Sequence, residues 1–219
     1  MAALMRRLLA LAGIRPSVEV TADGKPVDAC EVVRFTDGRV RYVTLVRDPG
    51  VHGLQPQDVT IRLPQAAHVY DVRRKQSLGR TETVRANLVP GEPKVYALLP
   101  YSVESIEVRR GDEPDSPEGP EGRSTGNGSI PFLVTLDLAG HEPAGRHCLH
   151  VEVYGPDGSP RRHYAQNVLA EARTAKVSVP LALDDPAGTW KLRIGDVASG
   201  RTAEIAFDVA GSVDRERGK

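Results

Sequence analysis

Four histidines, His141, His147, His150 and His163, gather around Cys148, and imidazole and thiolate are zinc's usual ligands. A tetrahedral site needs three or four such groups converging on one point. On a strand, His147 and His150 are three apart and point to opposite faces. That spacing opposes shared coordination, so the histidines read as surface polar residues without a metal. Asp184-Asp185 is the next candidate. A glycosidase places two carboxyl groups across a bond, roughly 5 to 10 Å apart. Adjacent aspartates before Pro186 start a turn instead. They do not sit in a D-x-D-x-D-G calcium loop. A G-x-S-x-G elbow, a phosphate loop and a dinucleotide fingerprint are all missing from the sequence. Trp190 is in phase with Leu192 and Ile194, which reads as core. Tyr154 and Tyr164 flank a turn and read as surface residues, a weak basis for a carbohydrate platform. The sequence therefore assigns no catalytic, cofactor-binding or metal residue, and no cofactor.

Composition narrows the field further. The chain has 219 residues, with 29 basic and 29 acidic side chains. Nucleic-acid binders carry a clustered basic surplus, so nucleic acid is not an expected partner. Arg73-Arg74 and Arg161-Arg162 read as solvated turn charges. Aromatic residues make up only 5%, which is poor in the stacking surfaces that sugar-binding and single-strand-binding grooves use. Cys30 and Cys148 have no spacing that implies a disulfide and read as small buried hydrophobes. No apolar run approaches the roughly 18 residues of a membrane span. The opening segment carries an A-x-A pattern at Ala10-Leu11-Ala12, but its apolar run is shorter than that of a signal peptide. Leu4, Leu8 and Leu11 fall at helical spacing. The expectation is a short amphipathic helix ending at Gly13, with Pro16 beyond it.

After Gly13 the period becomes that of strands. Asp23-Gly24 and Asp37-Gly38 mark hairpin turns. Val40 to Val46, Asp58 to Leu63, Ala67 to Val72, Lys94 to Leu99 and Ser102 to Val108 read as strands, with a polar turn over Arg73 to Gly79. Runs of this length at regular spacing predict an antiparallel sandwich. Residues 111–129 break the pattern with an acidic Gly- and Pro-rich stretch that lacks large apolar side chains. Strand patterning resumes with Phe132, Val134, Leu136 and Leu138, then Leu149, Val151 and Val153, and closes over Thr202 to Val209. The predicted fold is all-β: two antiparallel β-sandwich, immunoglobulin-like domains with a short N-terminal helix. The expected division is 1–16 for the helix or the end of a preceding domain, 17–110 for the first sandwich, 111–129 for a flexible linker, 130–210 for the second sandwich and 211–219 for a polar tail.

Two stretches resemble known families. His68-Val69-Tyr70-Asp71-Val72-Arg73, Ser77-Leu78-Gly79 and Pro90-Gly91-Glu92-Pro93-Lys94-Val95-Tyr96-Ala97-Leu98-Leu99-Pro100 resemble the C-terminal β-sandwich that follows the catalytic barrel in bacterial β-galactosidase-like glycoside hydrolases. Gly145 through Gly158, continuing with Pro180 through Trp190, resemble the macroglobulin-like or immunoglobulin-like sandwiches of large bacterial surface and secreted proteins. Neither resemblance carries catalytic residues onto these positions. Together they imply an extracytoplasmic, non-catalytic accessory region with a preceding catalytic or structural domain as partner. The alternative is a stand-alone module that binds polysaccharide or a cell-surface protein.

Overall fold

β-branched and apolar residues alternate with polar ones between Gly-, Pro- and Asp-rich turns, a pattern that suits pleated, half-buried strands. The computed structural model of the protein describes residues 2–14, 16–52, 55–111, 128–140 and 142–210. It is almost entirely antiparallel β-structure, as the sequence predicts. Helix α1 (Ala2–Leu11) closes where expected. The Ala12 amide donates to Leu8 O at 3.0 Å and the Ile14 amide to Leu9 O at 2.9 Å, with Gly13 at φ +71°. This is the Schellman ending, which needs a residue that tolerates the left-handed region.

The first unit contains β1 (Glu19–Ala22), β2 (Lys25–Pro26), β3 (Cys30–Asp37), β4 (Val40–Arg47), a short helix α2 (Pro49–His52), β5 (Gln57–Asp71), β6 (Gln76–Leu88) and β7 (Lys94–Leu99). They form one seven-stranded sheet in the order β2-β1-β5-β7-β4-β3, with β6 on the other edge of β5. The sheet closes over its own core because β5 changes partner along its length. Its first half pairs β1 and its second half pairs β7, while β6 follows it throughout with bulges between Arg62 and Ala67 and between His68 and Tyr70. Bulges bend and twist a strand, which lets one sheet do the work of two. Val43, Leu45, Val59, Ile61, Val69, Val84, Leu88 and Leu98 fill the interior. Two expectations change here. The runs Asp58 to Leu63 and Ala67 to Val72 belong to a single bent strand. The stretch given to a turn over Arg73 to Gly79 contains the start of β6, whose polar outward residues hid it.

The second unit contains β8 (Ser102–Arg110), β9 (Ser129–Ala139), β10 (His147–Tyr154), β11 (Gln166–Ala170), β12 (Thr174–Pro180), β13 (Gly188–Asp196) and β14 (Thr202–Val209). A three-stranded sheet β12-β9-β8 faces a four-stranded sheet β11-β10-β13-β14, an immunoglobulin-like arrangement. Ile130, Phe132, Val134, Leu136, Leu149, Val151, Val153, Trp190, Leu192 and Ile194 are buried between them. The division expected after residue 110 is not where hydrogen bonding divides. β8 pairs β9, with Arg110 opposite Phe132 and Val103 opposite Leu138. The acidic stretch 111–129 thus connects two strands of one sheet rather than two domains. Composition marks a polar connection, but it carries no information about which strands the connection joins. Residues 112–127 and the tail 211–219 lie outside the described residues.

The chain crosses between units at Pro100-Tyr101, and the junction is packed. Val40, Tyr70, Ala97 and Leu99 of the first sheet belong to the same apolar cluster as the second sandwich's core. The tip of the β3–β4 hairpin contributes Asp37, paired with Arg146, and Arg39, 2.6 Å from Glu142. The tip of the β5–β6 hairpin rests on the β13–β14 turn. Gly200, at φ +74°, leaves room there: a Cβ on it would lie 2.5 Å from Lys75 Cβ and 2.7 Å from Lys75 Cα. Gly200→Ala is expected to lower stability by about 2 kcal/mol, through backbone strain and displacement of the hairpin tip. Thermal unfolding checks this, and an unchanged melting temperature would mean that the tip does not dock in solution.

Candidate functional site

The interior of the second unit holds one polar cluster where periodicity predicts only apolar residues. His147 is in phase with Leu149, Val151 and Val153 on β10, so it points inward. Asp196 ends β13 on the inward phase of Leu192 and Ile194. Tyr101 lies in the crossing between units. His147 is 0% exposed, and Asp196 and Tyr101 are each 1% exposed. His147 Nδ1 lies 2.9 Å from Asp196 Oδ1, and Nε2 lies 2.9 Å from the Tyr101 hydroxyl. That hydroxyl accepts the Gly145 amide at 2.8 Å. Asp196 Oδ2 accepts the Ser199 amide at 2.9 Å and the Ser199 hydroxyl at 2.5 Å.

One proton arrangement satisfies every atom. His147 Nδ1–H donates to Asp196, Tyr101 O–H donates to Nε2, and the Tyr101 oxygen accepts the Gly145 N–H. Burial above all pushes the Tyr101 phenol up, against the pull of the Gly145 hydrogen bond. An aspartate orienting a histidine against a hydroxyl is the geometry of an acid–base relay. Here every member is shut away from solvent, so the cluster acts as a clamp. It ties the crossing at Tyr101 to β10 and to the β13–β14 turn. A second tyrosine reinforces it: Tyr70 of β5 accepts the Val103 amide of β8 at 2.8 Å. The sequence reading missed this role because it weighed His147 only as a metal ligand or a surface polar residue, whereas His147 is fully buried. The available signal was a histidine on the apolar phase of a strand, which demands a buried partner.

The other candidates take structural places. His150 is exposed on the opposite face from His147 and meets Asn167 Oδ1 at 2.8 Å. His163 lies tilted against Tyr164, 4.0 Å between ring centroids, and His141 lies outside the described residues. Among the described residues, no group of three or more His, Cys, Asp and Glu side chains is placed to hold a metal. Cys30 and Cys148 are half-buried and free, a more open setting than the buried one expected, and burial raises both thiols. Asp185 serves the turn expected of it, accepting the Tyr164 hydroxyl at 2.5 Å and the Ala182 amide at 2.8 Å.

Tyr164, expected at the surface, is 8% exposed because a 3-10 turn over Arg162–Tyr164 swings its ring to 6.2 Å from Trp190. Arg161 is likewise not a solvated turn charge. Its guanidinium lies 5.7 Å above the Trp190 ring and pairs with Asp157 at 3.3 Å. Arg73 and Arg74 are exposed, as expected of turn charges.

Among the described residues, two of the open clefts bear on function. One, of about 200 Å³, lies at the junction beside Val72, Lys75, His150, Glu152 and Arg193. Its charges are partly neutralised, with Arg193 3.7 Å from Glu152. The other, of about 600 Å³, lies on the three-stranded sheet among Arg109, Arg110, Pro131, Leu133, Lys176 and Ser178. Among the described residues, no carboxylate lines it. Sequence reasoning passed over these cations because they lie far apart in the chain and only strand register aligns them.

No protein-family model and no curated protein matches this chain. Among solved structures, the chain is similar over 90% of its length to a β-glucuronidase of Parabacteroides merdae, at 13% identity and a TM-score of 0.28. It is similar over 85% to the isomalto-dextranase of Arthrobacter globiformis T6 in complex with panose, at 17% identity and a TM-score of 0.27. A β-glucuronidase of Bacteroides uniformis aligns over 88% of the chain, at 7% identity and a TM-score of 0.25. The chain spans about a third of the length of these structures, 33%, 33% and 32% respectively. Likeness at these scores assigns neither a family nor an activity to this chain.

Proposed function

We propose that this chain is a non-catalytic accessory region of a larger, extracytoplasmic, glycoside-hydrolase-associated protein, in which it braces a preceding domain. Helix α1 carries the reading. Leu4, Met5, Leu8, Leu9, Leu11 and Ile14 are between 42% and 79% exposed. Apolar exposure this concentrated marks a surface made to be covered. The residues that resemble a glycoside-hydrolase sandwich, 68–100, lie in the first sheet, on the same side of the junction as α1. The burial of the His147–Asp196 pair, 0% and 1% exposed, supports a role without chemistry.

Two measurements test the reading. Leu4→Ser/Leu8→Ser/Leu11→Ser is expected to leave the unfolding free energy of this chain within about 0.5 kcal/mol of the parent, as exposed positions do. A loss of several kcal/mol would make the helix part of this fold and remove the motive for an outside partner. The intact mass of the native polypeptide in its source cells is expected far above 23.7 kDa. A native mass at that value would overturn the accessory reading.

A further inference from the structure

The outer face of the sheet β12-β9-β8 carries a charge pattern that a bracing role does not use. Arg109 of β8 and Lys176 of β12 both stand opposite Leu133 of β9, one on each side. They are therefore two strand spacings apart, about 10 Å. In the next row, Ser178 stands opposite Pro131, and the Gly111 amide donates to Pro131 O at 2.9 Å. Arg110 lies at the mouth, and Ser129 completes the lining of the roughly 600 Å³ cleft.

Several cations on other faces of this protein stand beside carboxylates. Arg39, Arg146, Lys191 and Arg193 each have one within 4.0 Å. Among the described residues, Arg109, Arg110 and Lys176 have none, and none of those lining the cleft is an acid. On the same face, Glu107 stands one row further along β8, opposite Thr135.

The floor between the two cations decides what kind of anion fits. It is aliphatic, Leu133 and Pro131, with the serines at its margin. No aromatic face is offered, since Phe132 is 1% exposed. Single-stranded nucleic acid is held by stacking its bases on aromatic side chains, which this cleft does not offer. A hydroxylated, saturated backbone bearing separated anionic groups needs what is present: two cations, an apolar strip for C–H faces and small hydroxyls. We propose that this cleft binds an acidic polysaccharide. Arg109 and Lys176 each hold one anionic group, a carboxylate or a sulfate, and Leu133 and Pro131 support the sugar ring between them. Arginine can engage either group through two parallel hydrogen bonds. The proposal is independent of what covers α1.

The test is calorimetric titration of the full chain with polygalacturonate, dextran sulfate, neutral dextran and oligothymidylate near physiological ionic strength. Binding is expected for polygalacturonate, dextran sulfate or both, and the polymer that binds identifies the anionic group. Neutral dextran is expected to be silent. Arg109→Ala/Lys176→Ala is expected to weaken binding by about tenfold or more. Lys25→Ala/Arg80→Ala, which removes two exposed cations elsewhere, is expected to leave it within about twofold. Both pairs keep the parent's melting temperature, since all four side chains are exposed. Silence with both acidic polymers overturns the proposal. So does equal weakening by the two pairs, or oligothymidylate binding as tightly and with the same dependence on Arg109 and Lys176.

Discussion

Trp190→Ala is expected to lower the unfolding free energy by about 3 to 5 kcal/mol, the cost of removing a buried aromatic from a site that collapses only in part. Trp190 is 0% exposed, and several separate pieces of the second sandwich meet on its ring. Tyr164, from the 3-10 turn, and Phe207, on β14, lie 6.2 and 6.4 Å away between ring centroids. The Arg161 guanidinium covers it at 5.7 Å. Its Nε1–H donates to Pro186 O at 2.9 Å and fixes the turn that leads into β13. An aromatic of this kind buries roughly 150 to 250 Å². At about 25 cal/mol/Å² that area is worth several kcal/mol, an upper figure because the unfolded chain already hides part of it. Trp190→Phe keeps most of the volume and loses the hydrogen bond, so about 1 to 2 kcal/mol is expected. Urea unfolding followed by far-UV circular dichroism measures both variants. A loss under about 1 kcal/mol for the alanine variant would return Trp190 to the surface aromatics available for binding.

The contrast between Trp190 and Tyr164 shows how far the sequence could be read. Trp190 announced its place by alternating with Leu192 and Ile194 inside a strand, where period alone decides the face. Tyr164 lies in a turn, which has no period, and its burial depends on an indole that is distant in sequence. The same limit governs the sheets. β9, β10 and β13 were legible because each buries one face, giving strict alternation. β6 was not, because Arg80, Glu82 and Arg85 point outward and its inward residues are widely spaced. The domain boundary expected at 111–129 falls within one sheet for a different reason. Loss of hydrophobicity locates a connection but says nothing of the strands it joins, and pairing between β8 and β9 is a long-range fact. The cleft at Arg109 and Lys176 lies beyond single-sequence reading for the same cause: only the shared register with Leu133 brings the two cations to one face.

Asp196→Ala is expected to cost about 3 to 5 kcal/mol, although the carboxylate is small and touches little apolar surface. The cost comes from what is left behind. Without Asp196, the Ser199 amide and hydroxyl and the His147 Nδ1–H lose their acceptor in a site closed to water. Each buried donor without a partner costs about 1 to 3 kcal/mol. The loss spreads because His147 also holds Tyr101, which accepts the Gly145 amide and anchors the crossing between the two units. The melting temperature is expected to fall by about 10 °C for a chain of this size. Combining Asp196→Ala with His147→Leu should cost clearly less than the sum of the two single changes, because an apolar side chain at 147 no longer needs the acceptor. A double-mutant cycle read by the fluorescence of Trp190, the chain's one tryptophan, is expected to show a coupling of about 1 to 3 kcal/mol. Additive losses would mean that His147 and Asp196 act separately, and the clamp between the units would have to be sought in Tyr70 and its bond to Val103 instead.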